Sequence, residues 1–116
     1  MSERKYLVLW TEIAARDLEE IVYHIAWGSP GNARNVLKKL KDKAAALEDF
    51  PLRGRVVPEL ARFGLRSWRE IVSKPYRIVY RVDSQSVVVL AVFDSRRDLE
   101  DLLLERMVRT QPNKKG

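Results

Sequence analysis

The chain contains no cysteine and a single histidine, His24. The missing thiols exclude a disulfide scaffold, a thiolate nucleophile and a zinc ribbon together, and they suit a reducing compartment. No metal and no other cofactor is expected. No apolar run approaches the ~20 residues that span a bilayer. The opening Met1-Ser2-Glu3-Arg4-Lys5 leads into only a short apolar segment with no signal-type cleavage site. A cytoplasmic protein without a membrane partner is therefore expected. Neither an internal repeat nor a linker-like stretch is visible.

What is present fits one compact core: 116 residues, 46% of them hydrophobic, leave no room for a second. The expected organisation is a single domain over residues 1–108 and a basic tail over 109–116. Lys and Arg number 22 against 16 Asp and Glu, a formal charge of +6. Such a field attracts anionic surfaces, among them nucleic acid, the ribosome or an acidic protein, although a soluble domain with a basic tail has the same balance.

Hydropathy patterning divides the chain into elements. Tyr6-Leu7-Val8-Leu9-Trp10 is β-branched and aromatic and predicts a strand, with Thr11 as the cap of a following helix. Ala14, Leu18, Ile21, Val22 and Ile25 recur at steps of three and four, so this helix runs to about Trp27 with Arg16, Glu19 and Glu20 toward water. Gly28 is expected to end it in a left-handed conformation, with Ser29 capping a second helix that Pro30 opens. That helix carries Ala33, Val36, Leu37, Leu40, Ala44 and Leu47 on one side and Lys38, Lys39, Lys41 and Lys43 on the other, and Pro51 stops it. Residues 52–64, with Gly54, Pro58 and Gly64, read as a loop whose Arg53, Arg55 and Arg62 stay solvated. Leu65–Val72, Tyr76–Val82 and Val87–Phe93 then read as an antiparallel meander. The last of these is apolar at every position, which demands cover on both faces and marks a central strand, with the first strand near it. A short helix over Arg97–Met107 closes the domain, and residues 108–116 are polar and basic. The fold class is α+β.

The residues of this pattern resemble the RelE/ParE group of small basic bacterial toxins, and the likeness covers nearly the whole chain. It lies in Val8-Leu9-Trp10-Thr11 ahead of Ala15-Arg16-Asp17-Leu18-Glu19-Glu20-Ile21, in Phe50-Pro51, and in Gly64-Leu65-Arg66. Most diagnostic are Pro75-Tyr76-Arg77-Ile78-Val79-Tyr80-Arg81-Val82 and Val92-Phe93-Asp94-Ser95-Arg96-Arg97-Asp98-Leu99 in that order. The resemblance implies the toxin of a type II toxin–antitoxin module, neutralised in a hetero-oligomer by an acidic cognate antitoxin that folds on binding.

Two mechanisms follow from the resemblance. RelE-type members cleave mRNA on the ribosome, whereas ParE-type members poison DNA gyrase and cut nothing. Cleavage by 2′-hydroxyl attack needs a base, phosphate-binding cations and an acid. Arg77 and Arg97 match two functional arginines of the ribonucleases. The family's paired lysines fall at Trp68 and Glu70, and its C-terminal tyrosine falls near Leu103. Glu70 is a candidate base, or else an exposed strand residue in a surface ion pair. His24 is remote from this region. Tyr76 and Tyr80 read as half-buried packing groups with hydroxyls at the rim. Asp94 stands where many relatives carry histidine and is expected to be ionised beside Arg96 and Arg97, or to cap the last helix with Ser95.

With the ribonuclease set incomplete, the chain resembles ParE more than RelE and weighs against an enzyme. For a gyrase interface the expected charge comes from Arg96, Arg97, Arg106 and Arg109, with Lys114 and Lys115 behind them, and anchoring from the apolar face of the last helix. A nucleic-acid-binding module that uses the helical hairpin, and a decayed toxin that keeps only antitoxin binding, remain as other classes.

Overall fold

The structure is a computed structural model and describes residues 5–109, apart from the side chains of Met107 and Arg109. Ten elements follow one another: β1 (Leu7–Trp10), α1 (Glu12–Gly28), α2 (Pro30–Ala45), a 3-10 turn (Ala46–Glu48), β2 (Arg55–Val56), α3 (Pro58–Ala61), β3 (Trp68–Ser73), β4 (Tyr76–Asp83), β5 (Ser86–Asp94) and α4 (Leu99–Arg109). The strands form one sheet in the order β1-β5-β4-β3-β2. Neighbours are antiparallel except β1, which lies parallel to β5 with Leu7 opposite Ser86 and Trp10 opposite Val89. No helix among the described residues is long and apolar enough to cross a membrane.

The uniformly apolar β5 is indeed internal and covered on both faces. On one face Val89 and Val92, with Ile78 of β4, pack against Ala14 and Leu18 of α1 and Leu40 and Ala44 of α2. On the other, Leu90, Ala91 and Phe93, with Val79 and Trp68, meet Leu60 of α3 and Leu99 and Leu103 of α4. Three layers result, and each fully buried Leu, Ile or Phe contributes roughly 1.5–3 kcal/mol relative to exposure.

Caps hold the hairpin in this place. Thr11 Oγ1 accepts from the Ala14 N–H at 3.1 Å, as the sequence predicts. Gly28 departs from expectation: it remains inside α1, and the only described glycine with positive φ is Gly64, at 80°. Ser29 makes the reversal instead, in an extended conformation at φ −157°. Its N–H closes the last turn on the Ile25 carbonyl, and its Oγ accepts from the Asn32 N–H at 3.2 Å, so one residue serves both helices.

Residues 52–64 are also more ordered than a loop. They contain β2 and α3, and Pro58 opens α3 at its first turn, where a missing N–H is tolerated. Strand β3 starts at Trp68 rather than Leu65, because the Leu65 N–H is taken by the Leu60 carbonyl at 3.1 Å. Helix α4 starts at Leu99 rather than Arg97; the Arg97 N–H instead bonds the Asp94 carbonyl in a turn. Residues 110–116, which carry Lys114 and Lys115, and the side chain of Arg109 lie outside the described residues.

Candidate functional site

Two of the three ribonuclease candidates come together on the sheet face beneath α3. Val72 lies opposite Arg77 and Glu70 opposite Val79, which makes Glu70 and Arg77 diagonal neighbours. Arg77 Nε donates to Glu70 Oε1 at 2.7 Å, and its Nη1 and Nη2 clasp Glu59 at 3.0 and 2.8 Å. Arg55 Nε occupies the other Glu70 oxygen at 2.7 Å. The Glu70 side chain is 0% exposed, Arg77 9% and Glu59 22%, while Arg55 remains 63% exposed. Glu70 is therefore no surface residue: α3 lies over this part of the sheet and buries it, and Arg55, though solvated as expected, is paired.

The electrostatics of this cluster are self-contained, with two guanidinium groups facing two carboxylates. Burial works against the Arg77 charge, but hydrogen bonds to Glu59 and Glu70 outweigh it and raise the arginine's pKa. The hydrogen bond from Arg77 in turn holds the Glu59 carboxyl below its usual range. Both Glu70 oxygens already accept from arginine. A phosphate reaching Arg77 has to displace the bidentate Glu59.

Arg97 stands outside this network. It is exposed on the turn after β5, and among the described residues its side chain forms no ion pair. Arg96, beside it, folds back on Asp94: its backbone N–H and its Nε both donate to Oδ1 at 2.9 Å, and Nη2 lies 2.5 Å from Oδ2. These bonds, the side-chain one foremost, lower the Asp94 pKa to about 2. Asp94 is thus ionised at neutral pH and an acceptor only.

Arg106 is placed differently from a surface cation. It is buried, and its Nη1 and Nη2 clasp Asp17 of α1 at 2.8 and 2.7 Å. Its guanidinium also lies 5.4 Å from the Phe93 ring centroid. Asp17 Oδ2 accepts in addition from the Val92 N–H at 3.1 Å. That strand residue lies beyond the end of β1, so the carboxylate takes the place of the missing strand and ties α1, β5 and α4 together. The hydrogen bond to Asp17 raises the Arg106 pKa.

Tyr80, expected at the rim, is 0% exposed, with its hydroxyl accepting from the Gly54 N–H at 3.0 Å. Tyr76 is half-buried, as expected. His24 is exposed on α1, edge-on to Tyr23 at 6.0 Å. Trp68 and Leu103, which stand at ribonuclease positions of the family, are both core residues.

Sequence reasoning missed Glu59 and Asp17. Each left a local signal. Glu59 follows a helix-opening proline, and Asp17 sits three residues after Ala14 and four before Ile21, at the margin of the buried stripe.

The three-layered arrangement, with a helical hairpin between β1 and its distant parallel partner β5, defines a RelE/ParE-type toxin fold. The chromosomal ParDE system from P. aeruginosa has a similar chain at TM-score 0.64 and 19% identity, over 78% of this chain and 96% of that one. A chain of the toxin–antitoxin complex RelBE2 from Mycobacterium tuberculosis is similar at TM-score 0.59 and 27% identity, over 80% and 94%. A mutant of E. coli toxin RelE in the free state is similar at TM-score 0.63 and 20% identity, over 92% and 99%. No curated protein sequence matches the chain. Residues 8–99 match the family model of the ParE toxin of type II toxin–antitoxin systems, parDE, and the chain belongs to that family.

Proposed function

We propose that this toxin is ParE-like in action: it inhibits DNA gyrase in the cytoplasm and is neutralised in a hetero-oligomer by an acidic cognate antitoxin. Residues 1–108 form its toxin domain in this reading, and 109–116 a basic tail. The observation that carries the proposal is the closed network of Arg77, Glu70, Glu59 and Arg55. An mRNA endoribonuclease needs cations free to meet a phosphorane and a carboxylate free to take a proton. Here the candidate cation and the candidate base neutralise each other, away from solvent. The gyrase contact is assigned to the exposed turn with Arg96 and Arg97, continued by Arg109; Arg106, held by Asp17, fixes the helix behind that turn.

A RelE-like ribonuclease is the alternative, and one feature favours it: Arg97 is exposed and unpaired among the described residues. Controlled expression in a bacterial host, with and without the neighbouring gene, separates the two. Filamentation with a DNA-damage response and intact message is the expected result, together with inhibition of gyrase supercoiling by the purified chain. Codon-linked mRNA cleavage that disappears in Arg97→Ala would reverse the ranking. No growth defect would indicate a decayed toxin or a binding module.

A further inference from the structure

Strand β1 closes the sheet at the side opposite β2 and has one neighbouring strand, β5. The N–H groups of Leu7 and Thr11 donate to the Gln85 and Val89 carbonyls at 3.0 and 3.1 Å, so the main chain at odd-numbered positions turns toward β5. Successive residues of a strand alternate in direction, and Tyr6 accordingly points the other way, its N–H donating to the Glu48 carbonyl of the 3-10 turn at 3.0 Å. The N–H and C=O groups of Val8 and Trp10 share that outward direction. Among the described residues none of these four groups has a hydrogen-bond partner.

The side chains leave this edge unprotected. Natural edge strands are commonly blunted by lysine, proline or a bulge, and Leu7-Val8-Leu9-Trp10 carries none of them. Leu9 lies opposite Val88, on the sheet face that α4 covers, yet Leu7 and Leu9 remain 61% and 44% exposed there. The charges at the two ends are paired within the chain, Lys5 with Asp49 at 3.8 Å and Glu12 with Arg16 at 3.7 Å, so the net +6 is not concentrated here.

We propose that β1 pairs antiparallel with β1 of a second copy of this chain, joining two five-stranded sheets across a two-fold axis at Leu9. The register follows from which groups are open. With Val8 of each copy opposite Trp10 of the other, four main-chain hydrogen bonds satisfy every open group of both strands. A pair centred on Val8 would need the Tyr6 N–H, which Glu48 already holds. In the Leu9-centred register Leu9 packs on its own counterpart, at a position where opposing side chains come closest. Glu12 then stands opposite Tyr6 of the other copy, next to that copy's Lys5, so the ends are complementary in charge. A longer strand from another protein is stopped at the Tyr6 end by the 3-10 turn, whereas a second β1 is equally short and meets this edge with its own open groups. The pairing rests on the fold alone and holds whether the toxin acts on gyrase or on message.

Because the chain has no cysteine, single thiols report the register. Leu9→Cys is expected to oxidise to a covalent dimer, since Cα atoms of such a pair lie about 4.5 Å apart, within the span of a disulfide. Leu7→Cys is more exposed but four positions out of register with its own counterpart, and should cross-link at least roughly tenfold more slowly. In sedimentation equilibrium the parent mass should rise from 13.5 kDa toward twice that value with concentration, while exchange of the Val8 and Trp10 amides slows. Leu9→Lys sets two ammonium groups against each other on the axis and should stay monomeric; Leu52→Lys, at an apolar site 61% exposed elsewhere, should not. An unchanged circular dichroism spectrum and unfolding midpoint in dilute solution verify that Leu9→Lys is folded. Monomer mass at millimolar chain overturns the proposal, as does a dimer that survives Leu9→Lys. Equal cross-linking of the two cysteine variants reduces the contact to collision. Protection of the Val8 and Trp10 amides only when the neighbouring gene product is added gives the edge to the antitoxin instead.

Discussion

Replacing Arg77 by alanine removes the cation that faces two carboxylates at once, and the structure says which of them suffers. Glu59 is partly exposed and can turn to water; Glu70 is fully buried and cannot. Glu70 keeps Arg55, but that arginine is mostly solvated and screened, so it offsets only part of the loss. Removing one partner of a buried pair costs about 3–5 kcal/mol, and the remaining Arg55 places Arg77→Ala near the lower end. Against the ~5–15 kcal/mol of an ordinary domain, that is enough to deplete the folded population in a cell. The double variant Glu70→Leu/Arg77→Met removes both charges and fills the space with apolar groups, and it is expected within about 1 kcal/mol of the parent. Urea unfolding followed by circular dichroism measures both, with growth arrest scored in parallel. Toxicity should fall with stability in the single variant and return in the double one. An Arg77→Ala chain as stable as the parent but wholly non-toxic would refute the reasoning and make Arg77 a functional cation.

Further expectations follow from other contacts. Gly54→Ala should destabilise strongly, since a Cβ there lies 2.5 Å from the Glu70 carbonyl oxygen and 2.7 Å from the Tyr80 hydroxyl; a thermal melt unchanged from the parent would count against the packing described. Tyr80→Phe leaves the buried Gly54 N–H without its acceptor and should cost about 1–3 kcal/mol in the same urea assay. Arg106→Ala should loosen α4, at roughly 3 kcal/mol, and amide exchange there should speed up while that of β4 barely changes. Glu59 is held below its ordinary value of 4.5 when folded, so the folded chain binds this proton less readily than the unfolded one. Its contribution is complete above that pH and declines as the pH falls below it. Glu59→Gln should flatten the acid limb of a stability profile, and an unaltered slope would show that Glu59 is not coupled to folding.

Much of the architecture was legible because it depends on local patterning. The steps of three and four in α1 and α2, the caps at Thr11 and Ser29, and the unbroken apolar run of β5 each carry their own physical cause within a few residues. Where local reading slipped, a long-range partner had intervened. Arg55 and Val56 become a strand only because β3 lies beside them, and Gly28 need not turn left-handed once Ser29 makes the reversal. The candidate site was legible as a list, with Arg77, Glu70 and Arg97 identified, but not as a state of charge.

What the chain determined by itself was an α+β domain of basic character, its helical hairpin, its central strand and its resemblance to the RelE/ParE toxins. Only the tertiary structure decided that Arg77 and Glu70 are bound to each other, that Glu59 joins them, and that Arg106 is held by Asp17 across 89 positions of sequence. The physical reason is that periodicity records which side of an element is apolar, whereas the partner of a charge depends on which segments pack together. A glutamate on a strand reads the same whether it faces water or a buried arginine, and the burial that separates those cases lies beneath α3, a stretch whose own local pattern reads as loop.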